Sequence, residues 1–402
     1  MKYAVILGDG MADYPQKSLG GKTPLDLAKK PFIDSLCKVS EVGLCKTVAE
    51  GLKPGSDVAN LSVLGYDPKE CYTGRSPLEA ASIGIDLKDT DVTARANLVT
   101  LSDEDNFADK TMIDYSAGEI STEEAKILIG FLAEKINDEK YRLYSGISYR
   151  HCLVIDNGKI AGDLTPPHDI TGKPIKGHLP TSETGKVYLK LMELSARLLK
   201  DHPVNIARIK AGKRPATSLW FWGEGTKPKL QAFSERYGIK GAMISAVDLL
   251  KGIGKLTGMQ VIEVKGATGN YDTNFNGKAK AALDALKTND FVYVHMEAPD
   301  ECGHHGDAEH KIFSIGEISE KVVKSVVESL REKKEEFALL ICPDHPTPLS
   351  TMTHASDPVP YMIYRSDKPF NGKTASSYDE ENAKSTGVFV PSGVELMKRF
   401  LG

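Results

Sequence analysis

FALLICPDHPTPLSTMTH, residues 337–354, joins an apolar run to a group of polar side chains. Its first six residues are continuously apolar, the length and pattern of a strand buried on both faces of a sheet. Pro343 and Pro346 then stop ladder pairing. Asp344 and His345 are thereby set side by side at the carboxyl end of a central strand. Ligands of open α/β sheets bind at that edge. His354 follows nine residues after His345 and precedes a further strand-like run, PYMIY (360–364).

Two other stretches repeat the construction. MKYAVIL (1–7) leads into Gly8, Asp9 and Gly10, and DFVYVHM (290–296) is followed by Asp300 and His304. Three strands thus each deliver an aspartate, two of them with a histidine close by. Taken singly, an aspartate after a strand is a turn residue or helix cap, and a lone histidine is a surface or hydrogen-bonded core group. The repetition points to metals instead. Carboxylate and imidazole suit Zn²⁺, Mn²⁺ or Mg²⁺, and three of each fit a pair of ions ~3.5–4 Å apart.

The length of 402 residues allows two domains, or one large domain with an insertion. The net charge of −4 gives no sign of nucleic-acid or anionic-membrane binding. Six cysteines without a CxxC pair fit reduced thiols in a cytoplasmic protein. No signal-like segment and no run of about 18 apolar residues occurs, so neither export nor a membrane span is expected.

Along the chain, Thr23 as N-cap and Pro24 at the first position start a helix within 22–38, which Pro31 breaks in two. GGKT (20–23) resembles the end of a P-loop, but Gln16 stands where its first glycine is needed, which excludes it. Ser56, after Gly55, opens an amphipathic segment. It is either a plain N-cap or a nucleophile at a helix start where free N–H groups favour a phosphate; a serine hydroxyl needs activation, for instance by a metal. Residues 67–210 differ in texture, with polar anchors at Arg75, Arg95, Arg150-His151, His168-Asp169 and Arg208. Scattered arginines are commonly solvated surface, but their forks also grip phosphate and carboxylate. A helix is expected at 184–200, with Val187, Leu191, Leu194 and Leu198 on its buried face. From LWFW (219–222) strand and helix alternate again, with a strand at 261–264. Ile315, Ile318, Val322, Val326 and Leu330 form a helix face between the Asp300 and Asp344 segments. For Asp9 to reach the cluster, β-strand 1–7 must join the same sheet. Residues 1–66 and 211–402 are then one domain, interrupted by an insertion at 67–210.

GDGMAD (8–13), PGSDVANLSVLGYDP (54–68), PDECGHHGD (299–307), PDHPTP (343–348) and THASDPVP (353–360) resemble the archaeal-type cofactor-independent (2,3-bisphosphoglycerate-independent) phosphoglycerate mutases of the alkaline phosphatase superfamily. TPPHD (165–169), HPVN (202–205) and GATGNYDTN (266–274) extend the resemblance over the whole length. It implies an α/β core whose mixed, mostly parallel sheet carries helices on both faces, plus a smaller inserted α+β substrate-binding domain. It implies two divalent ions, Mn²⁺ ahead of Zn²⁺, Mg²⁺ and Co²⁺. Asp9, Ser56, Asp344 and His345 would hold one, and Asp300, His304 and His354 the other. Ser56 would accept the phosphoryl group of a small phosphorylated substrate, and Arg75, Arg95, Arg150 and His151 would hold the glycerate. The implied reaction interconverts 3- and 2-phosphoglycerate. A phosphotransferase acting on homoserine and a metal-dependent phosphatase remain the alternatives. A non-catalytic binding protein would have no need for Ser56 together with both ligand sets.

Overall fold

Thirteen strands form along residues 1–402, all of which the computed structural model describes. They are β1 (Lys2–Gly8), β2 (Glu41–Cys45), β3 (Val92–Leu101), β4 (Met112–Asp114), β5 (Tyr141–Tyr144), β6 (Arg150–Ile155), β7 (Ser218–Thr226), β8 (Gly241–Ile244), β9 (Gln260–Ile262), β10 (Phe291–Met296), β11 (Phe337–Cys342), β12 (Val359–Arg365) and β13 (Phe389–Val390). The chain divides into two units, Met1–Tyr72 with Lys229–Gly402, and Thr73–Pro228. No helix is long and apolar enough to cross a membrane.

The first unit holds an eight-stranded sheet in the order β13-β2-β12-β11-β1-β10-β8-β9. β11, β1, β10, β8 and β9 are parallel. β12 runs against both its neighbours, and β13 is parallel to β2. β1 is therefore inserted between β10 and β11, with Gly8 opposite Met296 of β10 and Leu7 opposite Cys342 of β11. The carboxyl ends of these three strands lie level, so Asp9, Asp300 and Asp344 emerge at one edge. Alternation along the strands feeds two layers. Ala4, Ile6, Val292, Val294, Leu339 and Ile341 pack with the helix Phe275–Ala285 and with the expected face Ile315, Ile318, Val322, Val326 and Leu330. The opposite side meets the helices Ser56–Val63 and Gly393–Leu401, with Tyr3 edge-on to Phe400 and Tyr293 bonded to Asn60. Both faces of β11 are therefore covered, which is why all six of its residues are buried.

Pro31 divides the first helical region as expected, into Pro24–Leu27 and Pro31–Cys37, and Thr23 with Asp26 forms a capping box. The 184–200 helix runs Gly185–Leu199, but its deepest row is Tyr188, Met192, Ser195 and Leu199. The expected row lies one residue away and is half-buried. Both rows carry the same 4, 3, 4 spacing. Ser195 favours the inner one because its hydroxyl accepts from Leu219 N and donates to Met192 O, at 2.8 and 2.7 Å.

The second unit carries the antiparallel strands β4-β3-β6-β5, with β7 on the other side of β3. The helices Thr122–Ile136 and Gly185–Leu199 contribute to its larger core. Ala80, in the helix Ser76–Ser82, packs with Cys152 and Val154 of β6 in a smaller cluster. The boundaries thus fall later than the 66/67 and 210/211 expected from sequence. LWFW does not begin the return of the first unit; β7 pairs with β3 from Val99–Ser218 to Val92–Thr226. At the other end, Tyr66 donates to Gln231 O at 2.8 Å and Tyr72 to Asp57 Oδ2 at 2.5 Å, tying 67–72 to the first unit.

Leu339 is fully buried at the centre of β11. Leu339→Ala should lower stability by about 2–5 kcal/mol through lost burial and the cavity left behind. Urea unfolding followed by far-UV circular dichroism checks this, and an unchanged midpoint would contradict the two-sided packing.

Candidate metal centre

Asp9 leaves β1 through a tight turn. Gly10 has φ +59, and a Cβ there would meet Thr347 Oγ1 at 2.5 Å and Asp300 Oδ1 at 2.6 Å, so only glycine fits. Its N–H donates to Asp344 Oδ1 at 3.1 Å, and His345 N donates to the same oxygen at 2.9 Å. Asp344 Oδ2 accepts from Asn60 Nδ2 at 2.9 Å. Asn60 is itself fixed, donating to Ser56 O at 2.8 Å and accepting from the Tyr293 hydroxyl at 2.6 Å. Thr47 donates to the carbonyl of Asp344.

Ser56 is the first residue of its helix rather than the N-cap, a place taken by Gly55. Its hydroxyl does not cap the helix. It lies 3.2 Å from His345 Nε2 and 3.4 Å from Asp9 Oδ2. Thr347 Oγ1 donates to Asp300 Oδ1 and lies 3.3 Å from His345 Nδ1. That hydroxyl proton is committed to Asp300, so Nδ1–H donates to Thr347 and Nε2 turns a bare lone pair towards Ser56.

Asp300, in the helix Ala298–His304, meets the remaining histidines. His304 Nε2 is 3.2 Å from Asp300 Oδ2, His354 Nε2 is 3.5 Å from Asp300 Oδ1, and the two Nε2 atoms are 2.9 Å apart. His304 Nδ1 is occupied by the Met352 carbonyl at 3.0 Å. Nitrogen and oxygen ligand atoms therefore converge in three overlapping groups: Asp300, His304 and His354; Asp9, Asp300 and His345; and Asp9, His295 and Asp344.

Carboxylate charge accumulates at this buried point. Burial, then the charges of Asp344 and Asp300, push the Asp9 carboxyl well above its usual range. Burial opposes charge on His304, but its hydrogen bond and ion pair with Asp300 outweigh this and raise it to about 9. Asp9 Oδ1 is buried with no hydrogen-bond partner. Three buried carboxylates, imidazole nitrogens aimed inward and an orphaned oxygen fit hard or borderline divalent ions. The six acidic and imidazole residues singled out in the sequence and Ser56 are thus brought together. His295, Asn60, Tyr293 and Thr347 were missed. A histidine inside an apolar strand, and an asparagine four residues after Ser56 on a buried helix, were the available signals.

The anchors of the second unit form a separate cluster. Arg75 Nε and Arg95 Nη1 donate to Glu79 Oε1 at 2.9 and 2.8 Å. Arg95 stacks over Trp222 at 4.7 Å, and Arg150 over Tyr149 at 5.2 Å. Burial works against the Glu79 carboxylate, but Arg95, Arg75 and Arg150 hold its pKa below the usual value. Arg95 Nε is buried without a partner. His168 lies edge-on to Trp222 at 5.0 Å. His151 departs from this group. It is aligned with Ala96, so it lies on the sheet face opposite to Arg95 and Arg150. Its Nδ1 accepts from Gly146 N at 3.1 Å, and burial, then Arg95 and Arg150, push it down to about 3. Arg208 is a clamp within the unit, paired with Glu124 and donating to Ala117 O and Arg214 O.

A mostly parallel α/β sheet that gathers aspartates, histidines and a helix-start serine at its carboxyl edge has the architecture of a metal-dependent phosphoryl-transfer enzyme. The family model for 2,3-bisphosphoglycerate-independent phosphoglycerate mutase matches residues 37–205. A protein of that name from Methanosarcina barkeri is 50% identical over 398 residues, 99% of this chain and 98% of its own. The solved structure of a Pyrococcus horikoshii protein is similar with TM-score 0.81 and 29% identity, covering 100% of this chain and 96% of that one. The cofactor-independent phosphoglycerate mutase of Thermoplasma acidophilum gives 0.62 and 26%, with 100% of both chains covered. The chain belongs to the 2,3-bisphosphoglycerate-independent phosphoglycerate mutase family.

His304→Ala removes one imidazole from the Asp300 group and leaves the Asp9 group intact. Elemental analysis of the purified variant should show a lower divalent-metal content than the unaltered protein. Equal metal content would remove His304 from the centre.

Proposed function

We propose that this chain interconverts 3-phosphoglycerate and 2-phosphoglycerate through a phosphoserine on Ser56, independently of 2,3-bisphosphoglycerate and with two divalent ions, Mn²⁺ foremost. The observation that carries the reading is the Ser56 hydroxyl, turned away from its own helix and set between His345 Nε2 and Asp9 Oδ2 at 3.2 and 3.4 Å. Asp9, Ser56, Asp344 and His345 would hold one ion, and Asp300, His304 and His354 the other. When bound, such ions offset the carboxylate charge, polarise the phosphoryl oxygens and acidify a serine hydroxyl.

Ser56 Oγ gives up its proton and attacks phosphorus, the Oγ–P bond forms, and the bond from phosphorus to the 3-oxygen of glycerate breaks. The leaving oxygen takes a proton, and the 2-hydroxyl later attacks the phosphoserine in the reverse sense. The protein's part is positioning and electrostatics. Asn60 and the Gly10 amide fix Asp344, and Thr347 fixes His345. The glycerate carboxylate is assigned to Arg75, Arg95 and Arg150, whose net positive cluster is only partly offset by Glu79. His151 is given a supporting role, because its bond to Gly146 N holds the turn that precedes Arg150. The six buried free thiols support a reducing compartment, the cytoplasm.

A coupled assay of the purified protein with 3-phosphoglycerate tests the reading, with homoserine plus ATP and phosphate release run alongside. Mutase turnover that a chelator abolishes is expected; turnover only in the other two assays would replace it. Ser56→Ala should keep the fold yet lose about 10⁴-fold or more in kcat. Arg95→Met should raise KM by about tenfold or more, since each 1.4 kcal/mol of lost contact is tenfold, and should raise the yield of inorganic phosphate relative to 2-phosphoglycerate. An unchanged product ratio would place the substrate grip elsewhere.

A further inference from the structure

His295 stands near the end of β10, fully buried in an otherwise apolar strand. Both ring nitrogens are engaged. Nε2 lies 2.9 Å from Asp9 Oδ2, and Nδ1 lies 3.2 Å from Ser245 Oγ. Ser245 Oγ also accepts from Val247 N at 3.0 Å, which holds the hydroxyl in place. Asp9 Oδ2, as a carboxylate oxygen, can only accept, so Nε2–H donates to it and Nδ1 accepts from the Ser245 hydroxyl. The relay Asp9–His295–Ser245 crosses the carboxyl ends of the adjacent strands β1, β10 and β8. Lys278 Nζ donates to the His295 carbonyl at 2.9 Å and fixes the backbone beneath it. The outcome is a divided carboxylate: Oδ2 of Asp9 is taken by the protein, while Oδ1 is buried without a hydrogen bond, 3.6 Å from His345 Nε2.

We propose that His295 is a positioning residue for the metal centre, directing Asp9 so that Oδ1 alone is presented to an ion. The inference rests on the two-metal reading above. Partners of this kind orient metal ligands, and losing one costs about 10–100-fold in metal affinity. The test is calorimetric titration of metal-free protein with Mn²⁺, alongside the melting temperature of each metal-free protein. In His295→Leu, one site should weaken by about 10–100-fold and the other should change little. His295→Gln, whose amide nitrogen reaches about as far as Nε2, should recover most of the loss. Ser245→Ala, a smaller change that leaves the strand intact, should weaken the same site in the same direction. Leu and Gln variants that are equally weak would mean packing rather than donation and would overturn the proposal. So would wild-type affinity in His295→Leu, or in Ser245→Ala should the Leu variant not fold. Absence of Mn²⁺ binding by the unaltered protein would instead bring down the two-metal reading, and this inference with it.

Discussion

Three carboxylates buried at one point are a standing source of repulsion, and much of the first unit is arranged around it. Asp9, Asp300 and Asp344 are each almost wholly removed from water. Charges so placed are costly unless each lone pair finds a donor or a cation. The donors are supplied one at a time: Gly10 N and Asn60 for Asp344, Thr347 for Asp300, His295 for Asp9. The remainder, Asp9 Oδ1 and the inward imidazole nitrogens, is what a divalent ion would satisfy. The parallel, level ends of β11, β1 and β10 make this convergence unavoidable once the sheet has formed.

The same demand reaches a second layer. Asp13 and Lys311 form a fully buried ion pair at 2.8 Å, and Lys311 also donates to Thr347 O at 2.7 Å. Asp13 accepts from Leu349 N as well. The loop after β11 is thus held from behind at Thr347 and Leu349, which fixes the hydroxyl that orients His345. Breaking a pair of this kind leaves an uncompensated charge in the interior, so the loop's position is tied to the folding of the helix Ala308–Glu317.

Much of this was legible in the sequence. The strands that lead into Asp9, Asp300 and Asp344 are short apolar runs followed by glycine or proline, and such patterns depend only on local chemistry. Ser56 was legible as a residue but not in its posture, since N-cap and first helical residue differ by one position. His295 was hidden because an imidazole in an apolar strand reads as core until its neighbour across the sheet is known. The end of the second unit was misread for a related reason. LWFW reads as a buried strand whichever sheet receives it, and only its pairing with β3 decides. His151 shows the limit of adjacency: beside Arg150 in sequence, it is turned to the other face by the alternation of a strand.

Thr73 and Thr226, at the two ends of the second unit, are joined by a hydrogen bond from hydroxyl to carbonyl. The chain therefore enters and leaves Thr73–Pro228 at nearly the same point. For folding kinetics this matters, because β1 must find β10 and β11 across most of the chain, a long and entropically slow search. Once the second unit has closed on itself, its whole length counts as a short link between Tyr72 and Lys229. The central sheet would then assemble across a much shorter effective loop, with the self-contained segment forming first.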